Sequence, residues 1–567
     1  MPNTAAAPLR GGIAGFLLCA ALAVLAGCGD STVPQAAAAQ SLPPLTAAQC
    51  LAAAAPAQNA DPALLASPSQ VRGWQEQVDQ FDHGFRPTGS DAEQAYIDQL
   101  AGQLTAMGAS DVVEEPYSFT QWTAQTATLS LIQGGASLPI KIAAYMPYSG
   151  QTGPQGVEGP LLYLPAFTAA DVTGALLQAL QQRDPLHAVS LLLSNLDDFL
   201  SSTVSGVVSL TQFLAAHDLR GQVVVYDVPR VTLPLGVFTA LASYVNNSSG
   251  TSGPLVPYSR PYIDMLFTIL INRALMLAGA SAAIGVIDYP PTEADGSYYP
   301  FSGMGQNAIP LLYLDRATGA ALKQQILAGG LSLPRARLTL TARTAQAVSH
   351  NLSAVIPGRC PQQILLSSHV DGTNSIEDNG PAAILAIAAY FLKVPPAQRL
   401  RSVRIVLTSG HFVGSAGIDA YIKAHQADLS AQVLAAIEIE HLGAREWLEL
   451  SPGTMALDGL PEPQVLMAES GHPLGDEARK FAMRFDRAMS VPPFLPVGEG
   501  LAWNSQGGLP LLAFITGPVY LLNQDMPEIT SEYTDYNYMS QQIAAFVQMI
   551  HNLDAQPVSA LRPDLGG

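Results

Sequence analysis

His369 and Asp371, in Ser367-Ser368-His369-Val370-Asp371, and Asp378, at the head of Asp378-Asn379-Gly380, are residue types that metal-assisted chemistry uses. His369 can give a neutral imidazole to a metal, Asp371 can orient that ring, and Asp378 returns a second hard ligand. His-x-Asp is a short pattern, and a buried core histidine followed by a helix-capping aspartate is its other reading. The flanking elements have to place these groups. Ile364-Leu365-Leu366 has strand composition, and the Ala/Ile/Leu run from Ala382 to Phe391 is long enough for a buried helix, so the polar residues fall on the connection between them. In an open α/β sheet that connection is where ligands bind.

The chain of 567 residues is too long for one core, so two or three domains are expected. With 48% hydrophobic and 13% charged residues it reads as well packed rather than disordered. A net charge of -19 and the lack of a basic stripe exclude nucleic acid as a partner.

Arg10, the apolar run from Ile13 to Leu25 and then Leu25-Ala26-Gly27-Cys28 form a short signal-peptide core ending in a lipoprotein-type box. Residues 1–28 are read as a lipoprotein signal peptide with Cys28 as the lipidation site. Residues 29–47 are then a flexible Ala/Pro/Gln/Ser tether. This predicts a cell-envelope protein, lipid-anchored to a membrane; Gly rather than Asp after Cys28 favours the outer membrane or a periplasm-facing location. Cys19 leaves with the signal peptide, and Cys50 and Cys360 remain as a disulfide in an oxidising envelope or as two buried thiols.

Farther along, Val71, Trp74, Val78 and Phe81, then Tyr96, Leu100, Leu104 and Met107, recur at helical spacing. Ser118 to Ile132 has strand composition. Gly/Pro-rich loops at Gly150 to Gly159 and Gly329 to Pro334 bracket an inserted domain over 156–333, with a helical stretch from Thr173 to about Leu219. Met265 to Ala278 contains Asn272 and Arg273, which argues for a buried helix rather than a membrane span. Strands near Ile364, Val403, Ala436 and Leu511, alternating with helices after Gly380, Gly417 and Asp535, predict a largely parallel sheet covered on both faces.

The order strand, His-Val-Asp, loop, Asp-Asn-Gly, small-residue helix resembles the di-zinc aminopeptidase family, which includes glutamate carboxypeptidase-like and glutaminyl cyclase-like proteins. Gly84-Phe-Arg-Pro-Thr-Gly-Ser90, His350-Asn-Leu-Ser-Ala-Val-Ile-Pro-Gly358, Arg404-Ile-Val-Leu-Thr-Ser-Gly-His411 and Ala436-Ile-Glu-Ile-Glu-His-Leu-Gly443 extend the likeness. The resemblance implies an α/β fold with an aminopeptidase-type, mostly parallel sheet flanked by helices, built from residues 48–155 and 334–567. It also implies that 156–333 is a β-rich protease-associated domain, which shapes the cleft and carries no catalytic residue. One zinc would be held by His369, Asp378 and Glu440, the last in place of a later Asp, with Asp371 orienting His369.

The second half of the family's constellation is missing. No glutamate lies between Glu377 and Glu438 where the family has a Glu pair; an alignment on Gly414-Ser415 puts Thr408-Ser409 there, whereas one on Gly410-His411 puts His411-Phe412 there, with His411 as base or ligand. No histidine lies between His472 and His551; Tyr520-Leu-Leu-Asn-Gln-Asp525 offers Asn523 or Asp525 as weak ligands instead. Glu499, placed to recognise a substrate amine, and Asn523 complete the substrate-binding set. Glu438 and His441 also face the cleft, His441 in a structural or a ligand role. The function implied is a metallo-aminopeptidase using one zinc rather than two on peptides or small amine-bearing substrates. The alternative is an inactive relative that serves as a binding or scaffold protein.

Overall fold

The computed structural model describes residues 45–565 apart from 82–83, 165–217, 240–241, 300–308, 331, 378, 494–497 and 525–531. Cys28 and Asp378 therefore lie outside the described residues, as does most of the helical stretch expected from Thr173.

Three helices open the described part of the chain, each started by a side chain that takes up a free backbone N–H. Thr46 caps α1 (Ala47–Ala52), Ser67 caps α2 (Pro68–Val78) and Ser90 caps α3 (Asp91–Met107), which ends at Gly108. Strand β1 (Ser110–Gln133) follows. Next come β2 (Val157–Leu164), β3 (Val223–Asp227), helix α4 (Pro261–Leu277), β4 (Ala282–Val286), β5 (Leu311–Leu314) and α5 (Arg316–Gly329). The remainder is β6 (Arg335–Ile356), β7 (Cys360–His369), α6 (Gly380–Lys393), β8 (Arg401–Thr408), α7 (Ala416–Gln432), β9 (Val433–Ile439), β10 (Gln464–Ala468), α8 (Pro473–Arg484), β11 (Ala488–Val491), β12 (Leu511–Thr516) and α9 (Tyr536–Asp554).

These strands join one sheet in the order β5-β4-β3-β2-β6-β8-β7-β9-β12-β10-β11. Strands β8, β7, β9 and β12 run parallel to one another. Because they are parallel, their last residues, Thr408, His369, Ile439 and Thr516, come out at one edge of the sheet. Both faces are covered, which is why these strands read as continuous apolar runs. Ile364 and Leu366 face the core of α6, α3 and α9, whereas Leu365 faces the other side with Val406, Ile418, Tyr421 and Trp503. Helix α6 is apolar almost all round and buried along most of its length. Each fully buried Leu or Ile there contributes about 1.5–3 kcal/mol.

A long antiparallel ribbon of β1 and β6 joins the two halves of the sheet. Residues 335–338 of β6 pair with β2, and residues 352–356 pair with β8. The described part of 156–333 thus continues the sheet as parallel strands β2 to β5, accompanied by α4 and α5. Arg260, immediately before α4, lies 2.5 Å from Glu462 and 3.1 Å from Glu446, and Arg487 pairs with the same Glu446. Two guanidinium and two carboxylate groups are buried together there, so each desolvated charge has an opposite neighbour. Cys50 and Cys360 are joined, fastening α1 to the start of the central strand β7. Among the described residues no helix is long and apolar enough to cross a membrane.

Candidate metal centre

His369 ends β7 and is fully buried. Its Nδ1 lies 2.7 Å from the main-chain oxygen of Asp371, so Nδ1 carries the hydrogen and donates it. Nε2 is left bare, with no hydrogen-bond partner. Burial, then the neighbouring rings of His411 and His441, push this imidazole well below its usual pKa. A neutral ring with one free nitrogen is the ligand form of histidine.

Asp371 joins two parts of the site. Its carbonyl holds His369, while its carboxylate is 3.9 Å from that ring and serves another segment. It accepts Thr88 Oγ1 at 2.6 Å and the backbone N–H groups of His411 and Phe412, each at 3.3 Å. The turn His411–Val413 starts at Gly410, whose φ is 84° and where a Cβ would come 2.6 Å from the Tyr117 hydroxyl. So seated, the His411 ring stacks on His369 with centroids 4.3 Å apart. Glu93 supports the turn from below. It accepts Ser349 Oγ at 2.8 Å, Gly89 N–H at 2.6 Å and the Ser409 hydroxyl, and burial followed by the Asp371 charge pushes its carboxyl up to about 8.

Glu440 and His441 follow β9. His441 has φ 57°, a left-handed conformation that is strained for a non-glycine residue. Two contacts with Thr516 hold it. His441 Nδ1 donates to the Thr516 carbonyl at 2.7 Å, and the Thr516 hydroxyl donates to the His441 carbonyl at 2.7 Å. Its Nε2 is again bare, and burial pushes the ring down to about 4. Over Glu440 lies Gly498, with φ +71°, where a Cβ would sit 2.8 Å from both carboxylate oxygens. Only glycine lets the loop lie this close, and Glu499 N–H then donates to Glu440 Oε1 at 3.2 Å. Burial raises the Glu440 carboxyl to about 7.

Glu377 and Glu499 close the cluster, with Glu438 beside them. Asn379 exchanges hydrogen bonds with the main chain of Leu442, which ties the 371–379 loop to the residues after β9. Glu377 Oε2 thereby comes within 3.6 Å of His441 Nε2, and burial raises its carboxyl well above the usual range. Glu499 Oε2 accepts the Thr408 hydroxyl at 2.5 Å, and its Oε1 lies 3.5 Å from His411 Nδ1. Glu438 accepts the Trp503 indole N–H at 3.2 Å.

The result is a set of buried atoms without partners: His369 Nε2, His441 Nε2, His411 Nδ1, Glu377 Oε2, Glu440 Oε2 and Glu499 Oε1. A single such atom costs about 1–3 kcal/mol. Six at one spot mark a site built for a cation. Two triads have ligand atoms within 4.8 Å of one another, His369 with Glu377 and His411, and His369 with Glu440 and His441. Imidazole nitrogens with carboxylate oxygens are a zinc-type donor set, and the residues present fit such an ion.

No family model matches the chain. It is 24% identical over 289 residues to carboxypeptidase Q of Xenopus laevis, which covers 48% of this chain and 57% of that protein. The chain thus spans little more than half the length of this relative. Among solved structures, a peptidase M28 precursor from Shewanella amazonensis superposes with a TM-score of 0.58 at 16% identity, covering 87% of this chain and 95% of that one. The zinc aminopeptidase BSAP of Bacillus subtilis gives 0.53 at 14%, with 86% and 95% covered. An aminopeptidase from Aneurinibacillus sp. strain AM-1 gives 0.51 at 14%, with 85% and 93% covered. The fold is that of these aminopeptidase structures.

Of the residues expected from sequence, His369, Glu440, His411 and Glu499 meet in this cluster, and Asp371 lies against it. Asn523 has a different setting. Its amide donates to the main-chain oxygens of Glu293 at 2.9 Å and Asp295 at 3.1 Å. Glu377 and Glu93 were passed over by the sequence reasoning. For Glu377 a signal existed, since Glu377-Asp378 puts two carboxylates side by side before the helix; for Glu93, inside a helix pattern, there was none.

Proposed function

We propose that this chain is a zinc-dependent peptidase of the aminopeptidase type, removing N-terminal residues from peptides or acting on small amine-bearing substrates, with one ion bound. The observation that carries this reading is the meeting of His369, Glu440 and His441, whose Nε2, Oε2 and Nε2 atoms are buried and unpartnered. Both candidate triads use His369. Its Nδ1 is engaged by the Asp371 carbonyl, and one remaining nitrogen serves one ion, so the described residues complete one three-ligand set. Asp378, beside Glu377 in the chain, stays a candidate further ligand. Held by His369, Glu440 and His441, a zinc ion would supply Lewis-acid polarisation of a substrate carbonyl and a more acidic water molecule. His411, whose Nδ1 lies 3.5 Å from the Glu499 carboxylate, is then left to carry a proton between water and the leaving amine. The likeness to solved aminopeptidases, a zinc aminopeptidase among them, and to the Xenopus carboxypeptidase supports the peptidase class.

The same reading places the protein on the cell envelope through a lipid on Cys28, supported by Leu25-Ala26-Gly27-Cys28 after an apolar run. Cys28→Ser should then leave the membrane fraction, and a wild-type protein already free in the envelope would refute the anchor. The central test is metal analysis of protein purified without chelators, with release of N-terminal residues from short peptides assayed alongside. One zinc per chain and measurable release are expected. Two tightly held equivalents would refute the single-ion set; no zinc uptake when zinc is supplied would refute the hydrolase reading.

A further inference from the structure

We propose that Arg399 and Arg401 form a binding site for one small, singly charged anion of the chloride class, at the edge of the sheet opposite the metal centre. The inference does not rest on the hydrolase reading above. Arg401 opens β8, whose other end, Thr408, pairs with His369. Arg399 follows the short turn Pro396–Gln398 with φ -104° and ψ 106°, so the chain is already extended there. In extended backbone, residues two apart share a face. Leu400 therefore turns away to the Cys50–Cys360 pair, while both arginines turn with Val403 toward α6 and α9.

The two guanidinium groups are matched unequally. Arg401 Nη1 donates to the carbonyl and the carboxylate of Asp554, and its Nη2 donates to the Gln556 carbonyl at 2.6 Å, which leaves only Nε without a partner. Asp554 also accepts the backbone N–H groups of Leu400 at 3.1 Å and Arg401 at 3.0 Å, so both its oxygens are taken. Arg399 is 7% exposed, and its Nε and Nη1 are buried with no hydrogen-bond partner. Burial pushes this guanidinium below its usual pKa, and no carboxylate offsets the effect. A buried cation left without a counter-charge is strongly unfavourable, and orphaned donors of this kind mark the place of an occupant.

Space for one exists. Arg399, Arg401 and Asp554 line a cavity whose apolar wall includes Phe391, Val403 and Ile550, and Gln398 is the exposed residue of its lining, so entry is from that side. The cavity leaves about 10 Å³ for the centre of a water-sized body, room for one such occupant. The unpartnered atoms of its lining residues, Arg399 Nε and Nη1 and Arg401 Nε, are all N–H donors. A water molecule there would still have to place its own two hydrogens, whereas an anion only accepts. Two guanidinium charges and one carboxylate leave a single positive charge, and His551, which burial holds below its usual pKa, adds none. A halide meets size and charge together; phosphate and sulfate need more room and bring more charge than the site offsets.

The test follows thermal unfolding of the full chain in sodium chloride and in sodium gluconate at equal ionic strength, gluconate being too large to enter. Chloride should raise the unfolding temperature of the wild type by about 1–3 °C, with saturation. Arg399→Gln removes the charge and should lose this difference, and in gluconate it should be no less stable than the wild type. Bromide scatters anomalously, so wild-type crystals soaked in sodium bromide should show a peak between the Arg399 and Arg401 guanidinium groups. A wild type that does not respond to chloride, or a variant that responds equally, overturns the proposal. A variant less stable than the wild type in gluconate also overturns it, because the guanidinium would then be satisfied without an anion. Absence of the bromide peak from the cavity overturns it too, and that result stands whether or not Arg399→Gln folds.

Discussion

The imidazoles of His369 and His411 lie ring on ring, with centroids 4.3 Å apart and planes 16° from parallel. They come from the ends of neighbouring parallel strands, and one residue sets both. Asp371 holds His369 through its carbonyl and the His411 turn through its carboxylate.

Asp371→Ala separates these two jobs, because alanine keeps the carbonyl and loses the carboxylate. Zinc content is expected to stay near the wild-type value, since His369 keeps its tautomer. Activity should fall about 10- to 100-fold, the range for removing the support of a site residue. Metal analysis and steady-state kinetics on one preparation check this; loss of the zinc together with the activity would mean that the carboxylate holds His369 after all.

His369→Ala and His441→Ala should each abolish zinc binding, whereas Asn523→Ala should leave it unchanged. The Asn523 amide instead satisfies two buried carbonyls, so its removal should lower stability by about 1–3 kcal/mol. Calorimetric zinc titration and denaturant unfolding of the three variants separate these outcomes. A His441→Ala protein that binds zinc normally would move the ligand set to Glu377 and His411.

Much of this was legible in the sequence because the physics is local. The strand carrying His369, the buried small-residue helix after Gly380 and the strands ending at Thr408 and Ile439 follow from apolar runs bounded by turn residues. What could not be read are contacts between distant segments. Glu499 reaches the cluster because Gly498 folds over Glu440. Glu377 reaches it because Asn379 ties its loop to Leu442. Neither contact has a sequence period. His441 could be read as structural or as a ligand, and its left-handed backbone and bond to the Thr516 carbonyl are announced by no spacing.

A pH dependence follows from Glu449, in the strand Arg445–Ser451. Arg316, at the start of α5, donates to both its oxygens at 2.6 and 2.9 Å, and Arg230 adds a third contact at 3.2 Å. Hydrogen bonds from Arg316 are the main reason its carboxyl is held down to about 2. A depressed carboxyl stabilises the fold above its unfolded value of roughly 4.3 and loses that contribution as pH falls toward 2. Glu449→Gln should therefore be less stable than the wild type at pH 7, with the gap closing between about pH 4.5 and 2. Thermal unfolding at a series of pH values checks it, and a gap that stays constant down to pH 2 would show that the charge is not what these arginines stabilise.

Removing the Cys50–Cys360 bond should cost stability and spare the site. The cysteines are separated by 310 residues in sequence, so in the unfolded chain the bond closes a very long loop, and losing it should lower the unfolding free energy by about 2–5 kcal/mol. The bond lies at the start of β7, and His369 lies at its other end. Between them β7 is paired on both sides, with β8 and β9, and those ladders hold the strand in register without the bond. The double variant Cys50→Ser/Cys360→Ser, which leaves no lone thiol at the position, is thus expected to unfold at lower denaturant while keeping the zinc content and kcat of the wild type under conditions where it is folded. Unfolding curves measured with and without reductant give the first quantity, and metal analysis gives the second. If the double variant loses zinc while still folded, the ladders do not suffice, and the disulfide belongs to the architecture of the metal centre.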